Sequence, residues 1–131
     1  DISKAAVRRS GKDVSLITFG GSLWKALEAA DRLALAGIEA EVIDARSLSP
    51  IDYGTIGASV KKTGRVVIVE EGPKTGGVGA EIAAGIAERF PGTKITRVAS
   101  VDVPVPFTPV LENAYRPDVA RITQAVQSGL Q

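Results

Sequence analysis

The chain has 131 residues, 44% hydrophobic and 24% charged, and its 16 Lys+Arg against 15 Asp+Glu leave a formal net charge of +1. That length suits one domain with a core that needs neither disulfide nor metal, the charge balance argues against a dedicated nucleic-acid surface, and no apolar run approaches the ~20 residues that span a bilayer. There is no His, Cys or Met; without imidazole or thiol, chemistry must rest on Asp, Glu, Lys, Tyr, Ser or Thr, or on another segment that this one helps to hold.

Lys4 to Arg9 alternates charged and apolar residues, Ser10-Gly11-Lys12-Asp13 is turn-rich, and Val14 to Phe19 is apolar. This predicts an edge strand, a turn and a buried strand, joined as a short antiparallel hairpin. Gly20-Gly21-Ser22 then opens a helix in which Leu23, Leu27, Ala30 and Ala34 recur at helical spacing, with Gly37 as its stop. Glu39 to Ala45 predicts a second internal strand. Ser49-Pro50-Ile51-Asp52 carries the marks of a helix start, with Ser as cap, Pro at the first helical position and Asp at the positive end of the dipole. That helix runs to about Thr63 with Ile56 and Val60 inward. After Gly64, the β-branched run Arg65 to Glu70 predicts a central strand covered on both faces.

Beyond a loop from Glu71 to Gly77, Ile82, Ala83, Ile86, Ala87 and Phe90 form one helical stripe that Pro91-Gly92 ends. Lys94 to Ala99 is a further strand. Val101 to Pro109, with Pro104, Pro106 and Pro109, is extended and stiff and cannot be an interior strand. A last helix follows Pro117, with Val119, Ile122, Val126 and Leu130 facing the body. Alternating strands and helices imply a mainly parallel sheet covered by helices on both faces. No repeat or linker divides residues 1–131, so a single domain is expected. Because Asp1 is no translation start, we read the chain as a fragment or a processed chain.

Four constellations could carry function. Phe19-Gly20-Gly21-Ser22 joins a strand to a helix and Asp44 ends the next strand, the layout of a dinucleotide site, but Ser22 and Lys25 stand where that motif needs Gly; a tight turn explains the glycines equally. Gly72-Pro73-Lys74-Thr75-Gly76-Gly77-Val78-Gly79 could hold an anion on backbone amides, yet Val78 and Gly79 replace the Lys and Ser/Thr of a phosphate loop. We expect instead that its glycines permit close backbone approach. Glu70 and Glu71, followed by Glu81, are adjacent strand carboxylates pointing to opposite faces, so a partner-facing salt bridge is expected rather than an acid/base couple. The apolar rim Val103-Pro104-Val105-Pro106-Phe107, with Tyr115-Arg116-Pro117, suits docking of another surface or packing over the domain's own core. Trp24 is open to the same two readings.

The stretches Val14–Phe19, Lys25–Ala30, Glu41–Asp52 and Val66–Glu71, the block Thr75-Gly76-Gly77-Val78-Gly79-Ala80-Glu81-Ile82-Ala83 and the block Asp102-Val103-Pro104-Val105-Pro106-Phe107 carry a family likeness. In that order they resemble the C-terminal domain of the β subunit of the thiamine-diphosphate-dependent first component of 2-oxo-acid dehydrogenase complexes, a domain similar to that of transketolase and deoxyxylulose-phosphate synthase. The resemblance covers nearly the whole chain. It implies an α/β, three-layer α/β/α fold with a five-stranded, mostly parallel sheet and one antiparallel edge strand, in a subunit of an α2β2 heterotetramer.

In that family thiamine diphosphate and magnesium lie between an α-subunit domain and the preceding β-subunit domain, so the resemblance implies no catalytic, cofactor or metal residue within these 131. It implies as partners the preceding domain of the same β subunit, a second β subunit, the α subunit and the acyltransferase component. The implied subunit interface is Glu71, Thr75, Gly76, Gly77, Gly79, Glu81, Pro104, Pro106 and Phe107. For docking of the acyltransferase, the implied residues are Glu112, Asp118 and the terminal carboxylate of Gln131. The parent would decarboxylate a 2-oxo acid and pass the acyl group to a lipoyl domain; pyruvate is the first choice, with acetoin or branched-chain 2-oxo acids behind it. Its place would be the cytoplasm, or the mitochondrial matrix in a eukaryote. A free-standing protein-binding module and a small nucleotide-binding enzyme are the alternatives of other classes.

Overall fold

In the computed structural model, which describes residues 1–130, ten elements follow one another: β1 (Ala6–Arg9), β2 (Val14–Thr18), α1 (Ser22–Leu35), β3 (Ala40–Asp44), α2 (Tyr53–Thr63), β4 (Arg65–Pro73), α3 (Val78–Arg89), β5 (Lys94–Ser100), α4 (Pro109–Tyr115) and α5 (Val119–Gly129). The five strands form one sheet in the order β1-β3-β2-β4-β5. β2 lies parallel to β3 and β4, β4 parallel to β5, and β1 antiparallel to β3. The expected class, a mostly parallel sheet with one antiparallel edge, is the observed one.

The expected hairpin is not. β1 pairs with β3 (Ala6 opposite Asp44, Val7 opposite Ile43), and the chain then passes under the start of β3 to enter β2 on its other side. The amides of Lys12 and Asp13 donate to Glu39 O at 3.0 and 2.9 Å during this crossing. Gly11 makes it sterically feasible, since a Cβ there would overlap the backbone of Ala40 and Glu41. β4 is an interior strand as expected, but the middle position belongs to β2.

Period-two alternation sends neighbouring residues to two separate cores. Leu16, Val42, Val67 and Val69 pack on Ala26, Ala30, Leu33, Ile122 and Val126 of α1 and α5. Ile17, Ile43 and Ile68 pack on Ile56, Val60, Ile82 and Ile86 of α2 and α3. Each fully buried Leu, Ile or Val contributes roughly 1.5–3 kcal/mol, and this two-sided burial is why β2, β3 and β4 carry continuous apolar runs. The buried stripe of α1 runs through Ser22, Ala26, Ala29, Ala30 and Leu33. Of the expected stripe only Ala30 lies in it; Leu23 and Leu27 pack at its margin.

Two further departures concern helix ends. Ser49 does not cap α2: Asp52 does, its Oδ1 accepting from Gly54 N at 3.1 Å and Thr55 N at 3.2 Å, while Ser49-Pro50 is a cis peptide upstream of the helix. The Asp52 carboxyl is held at about 2, against an ordinary 3.8, chiefly by the Thr55 hydroxyl and then by the Thr55 and Ala5 amides. The expected extended loop is observed, but it ends in α4, which the sequence reading lacks; Thr108-Pro109 begins that helix. Buried polar side chains tie α2 to the sheet: Ser15 Oγ lies 2.6 Å from Ser59 Oγ, and Lys62 pairs with Glu41. Burial pushes the Glu41 carboxyl up, but Lys62, Ser59 and the Gly11 amide outweigh it and hold the group below its ordinary value.

Candidate functional site

A parallel sheet gathers the loops that follow its strands at one edge, and it is at that edge that α/β proteins place ligands or neighbours. Here β4 delivers Glu70 and Glu71 to it on opposite faces. Glu70 is among the largest fully buried side chains, 2% exposed. Its Oε2 accepts from Gly79 N, in the first turn of α3, at 2.6 Å. Arg97 Nη2 of β5 stands 3.9 Å away. The segment 72–79, from the end of β4 to the first turn of α3, is wrapped around this carboxylate: a Cβ on Gly77 would come within 2.5 Å of Oε1, one on Gly72 within 2.8 Å, and one on Gly79 would overlap Oε2. The expected close backbone approach is met at Gly77, where a Cβ would lie 2.3 Å from Pro73 O, while Gly72 and Gly79 make room for the buried acid. Gly76 supplies the left-handed turn, at φ 74°.

Glu71 turns to the other face. A Cβ on Gly21, the residue preceding α1, would lie 3.1 Å from its Oε1. Arg116 Nη1 is 3.9 Å from Glu71 and 3.6 Å from Glu112. The salt bridges of both acids are thus made within the chain; Glu70 is not partner-facing, as the sequence reading had it, and Glu71 is only partly exposed. The start of α3 is filled by one carboxylate and that of α1 is flanked by the other, which leaves neither as an open anion cradle. The nucleotide candidate fares no better: Asp44 is engaged by Arg8 Nη2 at 3.1 Å and by the Arg46 amide at 3.1 Å.

The loops after β4 and β5 are joined into one platform. Thr75 N and Oγ1 donate to the Asp102 carboxylate at 2.9 and 2.5 Å, Lys74 N to Ser100 O at 3.2 Å, Ser100 Oγ to Glu71 O at 2.7 Å, and Arg97 Nη2 to Lys74 O. The Thr75 hydroxyl and amide hold the exposed Asp102 carboxyl below its ordinary range. On this platform the apolar rim faces outward. Val103 is 54% exposed, Val105 60%, Phe107 99%, Val110 79% and Leu111 57%. The reading in which the rim covers the domain's own core is therefore not met, although Tyr115 and Pro117 are buried and anchor it. Trp24 is exposed as well.

Thr75, Gly76 and Gly77 lie in the loop after β4, Gly79 in the first turn of α3, and Pro104, Pro106 and Phe107 in the neighbouring loop, so these expected interface residues fall at one edge. Glu81 is exposed in the first turn of α3, where its carbonyl accepts from Tyr53 Oη at 3.2 Å. Glu112 sits on α4 and Asp118 caps α5 by accepting from Arg121 N at 2.8 Å; Gln131 lies outside the described residues. Arg97 and the internal role of Glu70 are additions that the structure makes to the expected site. The signal was present: an acid closing a β-branched run, with glycines two, seven and nine residues later.

A family model described as the C-terminal domain of transketolase matches residues 3–122. The chain belongs to this family. Among relatives of this transketolase C-terminal domain, the mitochondrial pyruvate dehydrogenase E1 component subunit beta-1 of Arabidopsis thaliana is 45% identical over 127 residues, 95% of this chain and 35% of that protein. The acetoin:2,6-dichlorophenolindophenol oxidoreductase subunit beta of Cupriavidus necator is 41% identical over 131 residues, 98% of this chain and 39% of that protein. A solved structure described as a split gene transketolase, an inactive beta4 tetramer, superposes with a TM-score of 0.90 at 36% identity, covering 99% of this chain and 43% of that one. The resemblance to the dehydrogenase β subunit thus holds, and the domain spans well under half the length of these relatives.

Proposed function

We propose that this domain is the C-terminal assembly and docking part of the β subunit of a thiamine-diphosphate-dependent 2-oxo-acid dehydrogenase. The observation that carries it is the rim: an exposed, almost uncharged apolar surface from Val101 to Leu111, mounted on a cross-linked platform, in a chain akin to pyruvate dehydrogenase β subunits. Apolar patches of this kind mark partner surfaces, and a rigid, Pro-rich one loses little entropy on docking. Partners are the preceding domain of the same subunit, a second β subunit and the α subunit, with the acyltransferase component near α4 and α5. The enzyme works in the cytoplasm, or in the mitochondrial matrix of a eukaryote.

Thiamine diphosphate with magnesium does not fit the residues of this chain. A diphosphate needs open amides, and Glu70 fills the start of α3; a magnesium ion needs clustered acids, and no such cluster exists among the described residues. The cofactor's site is assigned to segments outside these 131 residues, and the domain itself to a noncatalytic role. Pyruvate is the proposed substrate of the parent; nothing at this edge discriminates it from acetoin.

The test is calorimetric titration of this chain with the peripheral-subunit-binding segment of a cognate acyltransferase, beside thiamine diphosphate plus magnesium. Heat from the segment and none from the cofactor is the expected result. Cofactor binding without segment binding would overturn the reading.

A further inference from the structure

We propose that Glu70 and Arg97 are positioning residues for subunit association, a buried carboxylate and a partly buried guanidinium that hold the segment 72–79 and the apolar rim in one binding-competent arrangement; this rests on the assembly reading above. A charged pair with its carboxylate fully buried is poor material for stability alone, because desolvation of that carboxylate offsets much of the attraction. What it does provide is geometry. Glu70 grips the start of α3 through Gly79 N at 2.6 Å. Arg97 faces Glu70 at 3.9 Å and donates from the same guanidinium nitrogen to Lys74 O, in the middle of the loop. The next residue, Thr75, makes two hydrogen bonds to Asp102, which stands inside the rim sequence Val101-Asp102-Val103. A continuous chain of contacts therefore runs from a 2%-exposed carboxylate to side chains that are more than half exposed. Three glycines shaped around that carboxylate fix its position from the loop side. The sheet has no comparable need for the pair, since β4 and β5 are already joined by their ladder from Arg65 opposite Lys94 to Val69 opposite Val98.

The test uses the full-length β subunit carrying this domain, assembled with its α subunit. Glu70→Gln keeps the shape and an oxygen for Gly79 N but removes the attraction to Arg97. Freeing two or three loop side chains is expected to weaken association about tenfold, read by analytical ultracentrifugation well below the melting temperature. Amide exchange over residues 74–79 should rise about tenfold while β2 and α1 stay protected. Arg97→Gln, which cuts the tie to Lys74 O and leaves the Gly79 bond, gives the same readouts if Glu70→Gln does not fold. Unchanged affinity, or exchange that rises equally everywhere, would reduce the pair to ordinary fold stability and overturn the proposal. Failure of the wild-type subunit to assemble would instead refute the assembly reading.

Discussion

Replacing Asp52 by Asn tests whether one carboxylate does two jobs. Its Oδ1 caps α2 through Gly54 N and Thr55 N, and its Oδ2 accepts from Thr55 Oγ1 at 2.6 Å and from Ala5 N at 3.0 Å, tying the segment before β1 to the start of α2. Asn keeps an oxygen for the cap, so the replacement removes the Oδ2 side: the Thr55 hydroxyl bond and the Ala5 tether, worth about 1 kcal/mol each. Linkage gives a second, independent figure. A carboxyl at about 2 in the fold and 3.8 when free contributes up to about 2.5 kcal/mol. Because the folded value is depressed, this contribution is complete above about pH 5 and is lost as the pH falls toward 2. Urea unfolding of the chain and of Asp52→Asn at pH 6 and pH 2.5 measures it. The difference between the two proteins should be about 2 kcal/mol at pH 6, a fall of about 6–10 °C in Tm, and should shrink by about 1.6 kcal/mol, to about 0.4 kcal/mol, at pH 2.5. A difference that stays flat across that range would refute the assignment of the charge to Asp52.

Gly79→Ala should destabilise by about 1–3 kcal/mol by driving a Cβ into the Glu70 carboxylate; in a Glu70→Ala background the penalty should fall by at least about 1 kcal/mol, and strict additivity in denaturant titrations would contradict the geometry. Phe107→Asp, at a side chain 99% exposed, should leave unfolding within about 0.5 kcal/mol of wild type yet abolish subunit association in sedimentation; assembly that persists would remove the rim from the interface. Glu112→Ala together with Asp118→Asn should weaken calorimetric binding of the acyltransferase segment, Asn being chosen because it preserves the cap on Arg121 N. Unchanged affinity would withdraw the docking role of both residues.

The alternation of strands and helices was legible because a two-sided sheet forces β-branched runs such as Val66 to Val69, and helical stripes such as Ile82 and Ile86 leave their own period. Pairing was not. Ser10 to Asp13 is as compatible with a hairpin as with a step across one intervening strand, which at about 4.8 Å per strand spacing is within reach of a four-residue link; only the close approach of Gly11 to Ala40 separates the two. The same helix-start pattern, a hydroxyl residue before Pro, misled at Ser49-Pro50 and marked a real helix at Thr108-Pro109. What differed was Asp52, which accepts from the amides of Gly54 and Thr55 and so places the cap of α2 two residues beyond Pro50. At the candidate site, the placement of the loops was legible from topology. For Glu70 the spacing of Gly72, Gly77 and Gly79 was a signal, but its partner was not legible, because the guanidinium that faces it comes from β5, whose register on β4 is a tertiary fact.

The step that carries the chain beneath β3 makes the first ten residues a guard. β3 is buried at every position, and β1 covers its outer flank with only four residues, a register shift between Val7 and Arg9, and two arginines that pair with Asp44 and Asp31. Short length, irregular pairing and basic side chains are the means by which a sheet margin avoids pairing with another molecule. A shortened form beginning at Gly11 would lose Ala5 from the second core and its tether to Asp52 and would leave the backbone edge of Ala40 to Asp44 unpaired, so aggregation would accompany a lower melting point. Anyone isolating this domain should therefore draw its boundary ahead of Lys4, where the guard is still whole.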